Sequence, residues 1–153
     1  MKAKIFGAGV AVSAAVLTCL ATSTPASAFP YWQEVSTSST WSCSTPKAHR
    51  LSLNINFKTC IVRNAKNDAQ AVLVVQNSGT KAAVIRGVVH HYNTGGTYAG
   101  NWDFSCLEST LNPGFTRGCF GTTYSGTRDI SATSELWMNG YDAGNLSTDS
   151  WHG

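Results

Sequence analysis

Charged residues are scarce in this chain, since Asp, Glu, Lys and Arg together make up 12% of its 153 residues. No segment repeats apolar residues at i, i+3, i+4 and i+7 over a useful length, which argues against amphipathic helices. The G-x-S-x-G and H-E-x-x-H motifs and a glycine-rich phosphate loop are also missing. No two of the eight carboxylates mark an acid–base pair. We therefore expect a non-enzymatic protein without cofactor or metal.

The first 28 residues predict a secretory signal peptide. Lys2 and Lys4 precede an apolar run over residues 5–21, and Ala26-Ser27-Ala28 supplies a cleavage motif before Phe29. Cleavage there leaves 125 residues, in which nine Lys and Arg face eight Asp and Glu. A near-neutral chain offers no concentrated basic face for nucleic acid. No later apolar stretch approaches the ~20 residues that span a bilayer. We expect a secreted protein with neither nucleic-acid nor membrane partners.

Four cysteines follow the leader: Cys43, Cys60, Cys106 and Cys119. An even number in an exported chain predicts two disulfides, and no C-x2-C pair supports the competing zinc site. Three connectivities are possible. Sequence separations of 17 and 13 residues favour Cys43–Cys60 and Cys106–Cys119. Each loop of that size would contribute ~3 kcal/mol by the chain-entropy model.

Most of the chain after Cys43 has a hydrophobic period of two. Residues Leu51–Lys58 alternate apolar and polar side chains, which predicts a strand with one buried face. This strand should continue through residues 60–62 past a bulge, because both parities become apolar there. The run Ala71–Val75 is apolar throughout and suits a central strand covered on both faces. Further strands are predicted over residues 82–92, 115–124 and 130–138.

Turn signals separate these strands. Residues 64–68 predict a turn, Asn77–Thr80 predicts a hairpin, and Asn112-Pro113-Gly114 predicts a tight turn. About seven short strands, with turns every 8–12 residues, predict an all-β protein: an immunoglobulin-like antiparallel β-sandwich over residues 43–153. We expect the polar tail from Tyr141 onward to be loosely held.

Residues 29–42 form an aromatic N-terminal arm ahead of the first cysteine. Leaving its rings in water forfeits ~25 cal/mol per Å2 of apolar surface, so they should pack somewhere. The arm either folds back on its own sandwich as an edge strand or enters a groove on another protein. Its Ser/Thr run over residues 36–40 favours an arm that extends to another protein over one that folds back. The candidate partner-binding residues are Phe29, Tyr31, Trp32, Val35 and Trp41.

Two aromatic residues in a Gly-rich polar loop, Tyr98 and Trp102, are secondary binding candidates. They either cover a sheet edge or contact a ligand, and Trp102-Asp103 is the only pair that suits a lectin. His90 and His91 are adjacent on a strand and point to opposite faces, so they cannot together ligate one ion without a bulge. We expect one at the surface and the other against an aromatic ring. His49 is expected in a solvated loop.

Two blocks carry a resemblance to known proteins. Residues 70–80, QAVLVVQNSGT, and residues 106–114, CLESTLNPG, followed by Cys119, resemble a pattern in small secreted actinobacterial proteins with an immunoglobulin-like sandwich. Within that group, an aromatic arm ahead of a disulfide-bonded sandwich is similar to the adaptor subunits of umbrella toxin particles. Those adaptors link a toxin-bearing stalk protein to a lectin-like subunit. The resemblance implies fold and export more than activity.

The sequence therefore predicts a secreted protein-binding module whose partner is another secreted protein. A secreted hydrolase inhibitor, or a β-sandwich that binds a small ligand or carbohydrate, is the alternative. The chain is similar in size and layout to small two-disulfide inhibitors of secreted hydrolases, but it lacks the Trp-Arg-Tyr loop of the amylase inhibitors. An enzyme that uses His90 or His91 is a third class.

Overall fold

The computed structural model describes residues 31–38, 40–93, 102–125, 130–142 and 147–151. Within these ranges the chain is all-β, with eleven strands, and none of its segments is a helix suited to crossing a membrane. The strands are β1 (Gln33–Glu34), β2 (Trp41–Cys43), β3 (Lys47–His49), β4 (Ser52–Arg63), β5 (Ala69–Asn77), β6 (Ala83–Asn93), β7 (Trp102–Leu111), β8 (Thr116–Tyr124), β9 (Ile130–Met138), β10 (Tyr141–Asp142) and β11 (Ser147–Trp151).

The strands form two antiparallel sheets. The first sheet has the order β1-β8-β5-β4-β2, and β3 also pairs with β4. The second sheet has the order β10-β9-β6-β7, and β11 also pairs with β9. Nine of these eleven strands have three residues or more, compared with the seven or so that the sequence predicted. The short strands add to the longer ones: β2 and β3 pair with β4, and β10 and β11 pair with β9.

The core lies between the two sheets. Strand β9 alternates buried and half-buried residues along its whole length, so one face packs inward. Strand β5 is buried on both faces from Ala71 to Val75, which confirms the predicted central strand. The largest fully buried apolar side chains come from both sheets: Phe57, Ile61, Leu73, Ile85, Leu111 and Leu136.

Two disulfides hold the sheets in different ways. Cys43–Cys60 joins β2 to β4 within the first sheet, with the two Cα atoms 4.0 Å apart. Cys106–Cys119 joins β7 to β8, and so ties the second sheet to the first, with the two Cα atoms 6.0 Å apart. The pairing that the sequence favoured is therefore confirmed.

The predicted strand over residues 51–62 is present but differs in detail. Its pairing with β5 runs from Ile55 to Arg63 without a register shift, so the expected bulge is wrong. Both parities are apolar there because residues from the N-terminal arm cover the outer face of the sheet. The alternating pattern also begins too early, since Leu53 is 86% exposed and lies beyond the end of the core.

The turn at Asn77 does not form the predicted hairpin. Strand β5 belongs to the first sheet and β6 to the second, so Asn77–Thr80 carries the chain between sheets. The buried Asn77 side chain fixes this corner by donating from Nδ2 to the carbonyls of Lys81 (2.8 Å) and Leu111 (3.1 Å). A two-residue hairpin lies instead at Asn139-Gly140, where φ angles of 51° and 80° join β9 to β10.

Two other expectations are corrected. His49 is 1% exposed and lies in β3, where its Nδ1 accepts a hydrogen bond from the amide of Leu51 at 3.2 Å. The nearby Lys47 and Arg50 suggested a solvated loop, but His49 lies in a strand that pairs with β4, and its side chain is buried. The tail is also not loose throughout, because Ser147–Trp151 pairs with β9.

Candidate functional site

The N-terminal arm crosses its own sandwich. Strand β1 pairs with β8 at one edge of the first sheet, and β2 pairs with β4 on the other side of that sheet. The chain between them, residues 35–38 and 40, passes over the outer face of β5. We call residues 35–38 the strap. Val35 and Trp41 pack here against Val72 and Val74, which point away from the core.

Trp32 is held by the protein itself. Its ring is partly buried against the core, and Nε1 donates a 2.8 Å hydrogen bond to the carbonyl of Leu107 in β7. Gly87 in β6 makes room for the ring, because a Cβ there would lie 3.1 Å from Trp32 Cη2 and 2.5 Å from Leu73. Of the two alternatives for the arm, folding back therefore describes Trp32. Its neighbour Tyr31 is 59% exposed.

The other partner-binding candidates also divide. Val35 packs so closely over β8 that a Cβ on Gly118 would lie 2.7 Å from its Cγ1. Trp41 meets the ring of Phe120 edge-on, with centroids 6.2 Å apart. Phe29 lies outside the described residues. Among the described candidates, only Tyr31 presents most of its ring to solvent.

Of the two secondary candidates, the structure describes the backbone of one. Tyr98 lies outside the described residues. Trp102 is the first residue of β7 and stands opposite His91 of β6 in the register, and Asp103 stands opposite His90. The proposal that Trp102 contacts a ligand stays a prediction.

A cavity of about 280 Å3 opens beside the strap on the outer face of the first sheet. One wall of the cavity is a row of polar side chains from three strands. Asn56 of β4 pairs with Gln76 of β5, and Gln76 pairs with Thr116 of β8. The next row brings Lys58 beside Val74. Alternate residues of a strand share a face, so all five side chains point outward.

The strap forms the opposite wall of this cavity. Val35 contributes an apolar surface, and Ser36 and Thr37 contribute hydroxyl groups. Lys58 reaches across to the strap, where its Nζ lies 3.4 Å from Thr37 Oγ1. Among the ten described residues that line the cavity, Lys58 alone carries a charge. The cavity is therefore mildly cationic and rich in hydrogen-bond donors.

No motif in the sequence marks this cavity. It forms where the strap crosses the sheet, and the path of the strap depends on both β1 and β2 pairings. The alternating pattern of Leu51–Lys58 did place Asn56 and Lys58 on the exposed face. The register in which β4 pairs with β5, and β5 with β8, brings Asn56 and Lys58 together with Gln76 and Thr116.

The outer face of the second sheet carries a second group of interest. The Arg86 guanidinium lies 4.7 Å from the ring centre of Trp137, beside a cavity of about 200 Å3. Tyr92 and Tyr141 are exposed on the same sheet. Trp137 was not singled out in the sequence, although its parity in β9, opposite to that of Leu136 and Met138, marked it as outward-facing.

The histidine pair behaves as predicted. His91 is buried edge-on against Tyr124, with centroids 4.7 Å apart, and its Nε2 lies 3.2 Å from the carbonyl oxygen of Thr122. His90 points to the other face, with Nε2 3.5 Å from Glu135 Oε1. Burial raises the pKa of Tyr124 above its ordinary value. The described part of the chain holds no group of three metal-ligating side chains.

Comparison with known proteins adds no identity to this geometry. No protein-family model matches the chain, and no curated protein is significantly similar to it.

Proposed function

We propose that this protein is a secreted, non-enzymatic binding module with an immunoglobulin-like sandwich. It serves as an adaptor that links other secreted proteins, such as the subunits of an extracellular antibacterial toxin particle. Two disulfides suit an oxidising, extracellular setting. The strand order supports the fold proposal, because β4-β5-β8 in one sheet and β7-β6-β9 in the other match the A-B-E and C′-C-F neighbours of that family.

The observation that carries the adaptor proposal is the contrast between Tyr31 and Trp32. Trp32 fixes the start of the arm to the core, and Tyr31 projects beside it into solvent. Because the neighbouring Trp32 is held against the core, the backbone at Tyr31 loses little freedom on binding, and the exposed Tyr31 ring is suited to anchor a partner. In this proposal the arm is held on its own sandwich and presents Tyr31 to the partner, and it does not act as a loose extended segment.

The edge beside Tyr31 gives the partner a second contact. Strand β1 is two residues long and covers only Arg117 and Gly118 of β8. Within the described residues, no strand pairs with the outer side of β8 from Cys119 to Tyr124. An extended segment of the partner can add there as a further strand, and its backbone hydrogen bonds would supply affinity.

Affinity capture from culture medium tests the proposal. The tagged protein should retain a secreted partner that mass spectrometry identifies, and Tyr31→Ala should lose it. Tyr141→Ala is the matched control, because Tyr141 is a similarly exposed ring (62%) on the other sheet. Equal capture by the wild-type protein and Tyr31→Ala would reject the arm as the contact.

A small-ligand binding module is the second candidate function. The cavity of about 280 Å3 beside the strap favours it, because an apolar wall faces several hydrogen-bonding side chains there. This candidate predicts that substitutions of Lys58 and Gln76 weaken binding, whereas Tyr31→Ala leaves it unchanged.

A further inference from the structure

We propose that the cavity between the strap and the first sheet is a carboxylate-binding site. The ligand carries one carboxylate group, either as a small free acid or as an acidic side chain or chain end of a peptide. The cavity volume of about 280 Å3 is at the lower end of ligand sites and suits a group of that size. The proposal does not depend on the adaptor role, because Tyr31 is not among the residues that line the cavity.

The positive charge in the cavity lining favours a ligand with a negative charge. Lys58 is half-buried, and none of the residues that line the cavity is acidic. A cation with its stem packed against a sheet keeps its ammonium group near one place, and a carboxylate that meets it forms a charge-assisted hydrogen bond. Thr37 Oγ1, 3.4 Å from Nζ, is a weak partner that an incoming carboxylate can replace or join.

Neutral donors around Lys58 can complete the coordination of a carboxylate. The amides of Asn56 and Gln76 and the hydroxyl of Thr116 lie in one row across β4, β5 and β8. Each carboxylate oxygen accepts about two hydrogen bonds, so an ammonium, two amides and a hydroxyl match its capacity. The apolar wall formed by Val35 and Val74 suits the methylene groups that carry such a carboxylate.

This donor set suits a carboxylate better than a phosphate. Phosphate sites usually combine arginines, several cations or a cluster of backbone N–H groups. Here one Lys is the only cation in the lining, and the strap contributes hydroxyl side chains. A single negative charge that needs side-chain donors is the better match.

Nuclear magnetic resonance titration of the 15N-labelled protein purified from culture medium tests the proposal. The probes are N-acetyl-glutamate amide for a peptide side chain, N-acetyl-alanine for a chain end, and glutarate for a free acid, all at constant ionic strength. We expect saturable shifts of the Asn56 and Gln76 side-chain amides and of the Ser36 and Thr37 backbone amides. The probe with the lowest Kd identifies the source of the carboxylate.

Matched probes and variants decide the outcome. N-acetyl-glutamine amide has the shape of the glutamate probe without its charge and should bind the wild-type protein at least ~10-fold more weakly. N-acetyl-glutamate amide should likewise bind Lys58→Met at least ~10-fold more weakly than it binds wild type. Lys66→Met removes an exposed lysine from the turn at residues 64–68 and should leave binding unchanged. Gln76→Ala, at an exposed position that tolerates change, should weaken binding about 3- to 10-fold.

Three results would overturn the carboxylate site. They are equal binding of the glutamine and glutamate probes, tighter binding of inorganic phosphate than of every carboxylate, and unchanged binding by both Lys58→Met and Gln76→Ala. A failure of partner capture by the Tyr31 surface would leave the carboxylate site intact, since these titrations use no partner protein.

Discussion

Trp32 should stabilise the isolated protein far more than its neighbour Tyr31 does. Trp32→Ala removes a ring packed against the core and a 2.8 Å hydrogen bond to Leu107. A partly buried Trp hides about 150 Å2 of apolar surface. At ~25 cal/mol per Å2, this is about 3.8 kcal/mol, and a compact unfolded state reduces it to about 2.5 kcal/mol.

The hydrogen bond adds about 1 kcal/mol, so Trp32→Ala should lower the free energy of unfolding by about 3.5 kcal/mol. Trp32→Phe keeps most of the packing and loses the indole donor, and should cost about 1 to 1.5 kcal/mol. Tyr31→Ala removes a mostly exposed ring and should stay within about 0.5 kcal/mol of wild type.

Urea denaturation followed by far-ultraviolet circular dichroism measures these differences. With an m-value of about 2 kcal/mol/M, Trp32→Ala should lower the midpoint by nearly 2 M, and Tyr31→Ala should barely move it. Equal midpoints for the two alanine variants would refute the reasoning, because the arm would then be detached in solution and both rings would be available to a partner.

Three further predictions concern the fold. Asn77→Ala leaves the buried carbonyl of Leu111 without its donor and should cost about 2 to 3 kcal/mol in the same denaturation assay; a cost below 1 kcal/mol would contradict the proposed corner. Replacing both Cys43 and Cys60 by Ser should cost about 3 kcal/mol, the chain-entropy estimate for their loop, and a stability equal to wild type would argue against a closed disulfide. Burial raises the pKa of Tyr124, so the free energy of unfolding is unaffected by this side chain below pH ~10 and falls as the pH rises from there toward the folded-state pKa. Tyr124→Phe cannot ionise and should therefore lose less stability than wild type between pH 8 and 10.5. Identical losses for the two proteins would contradict this.

The features that the sequence predicted correctly depend on local or repeating patterns. The apolar run Ala71–Val75 marked a strand buried on both faces. The turn at Asn112-Pro113-Gly114 is present with Gly114 at φ 79°, a region that Gly occupies without steric cost. The short separations within the cysteine pairs also indicated the observed disulfides.

The features that the sequence missed depend on distant partners. The signal at Asn77–Thr80 identifies a turn but does not show whether the next strand stays in the same sheet. Here the Asn77 side chain reaches Leu111, 34 positions away, and that contact is invisible in a local pattern. The cavity beside the strap could not be predicted for the same reason, since Lys58 contacts Thr37 only because the strap crosses the sheet.

The exchange of strands between the two sheets has a consequence for how the molecule forms. The chain leaves the first sheet after β5, returns to it at β8, and leaves it again for β9. Neither layer can therefore be completed from one continuous stretch of sequence. Three pairings, β1–β8, β5–β8 and β6–β9, wait for a distant segment of the chain. Folding should therefore be slow and all-or-none. A fragment that ends before β8 would lack the strand that flanks β5, and should remain unstructured.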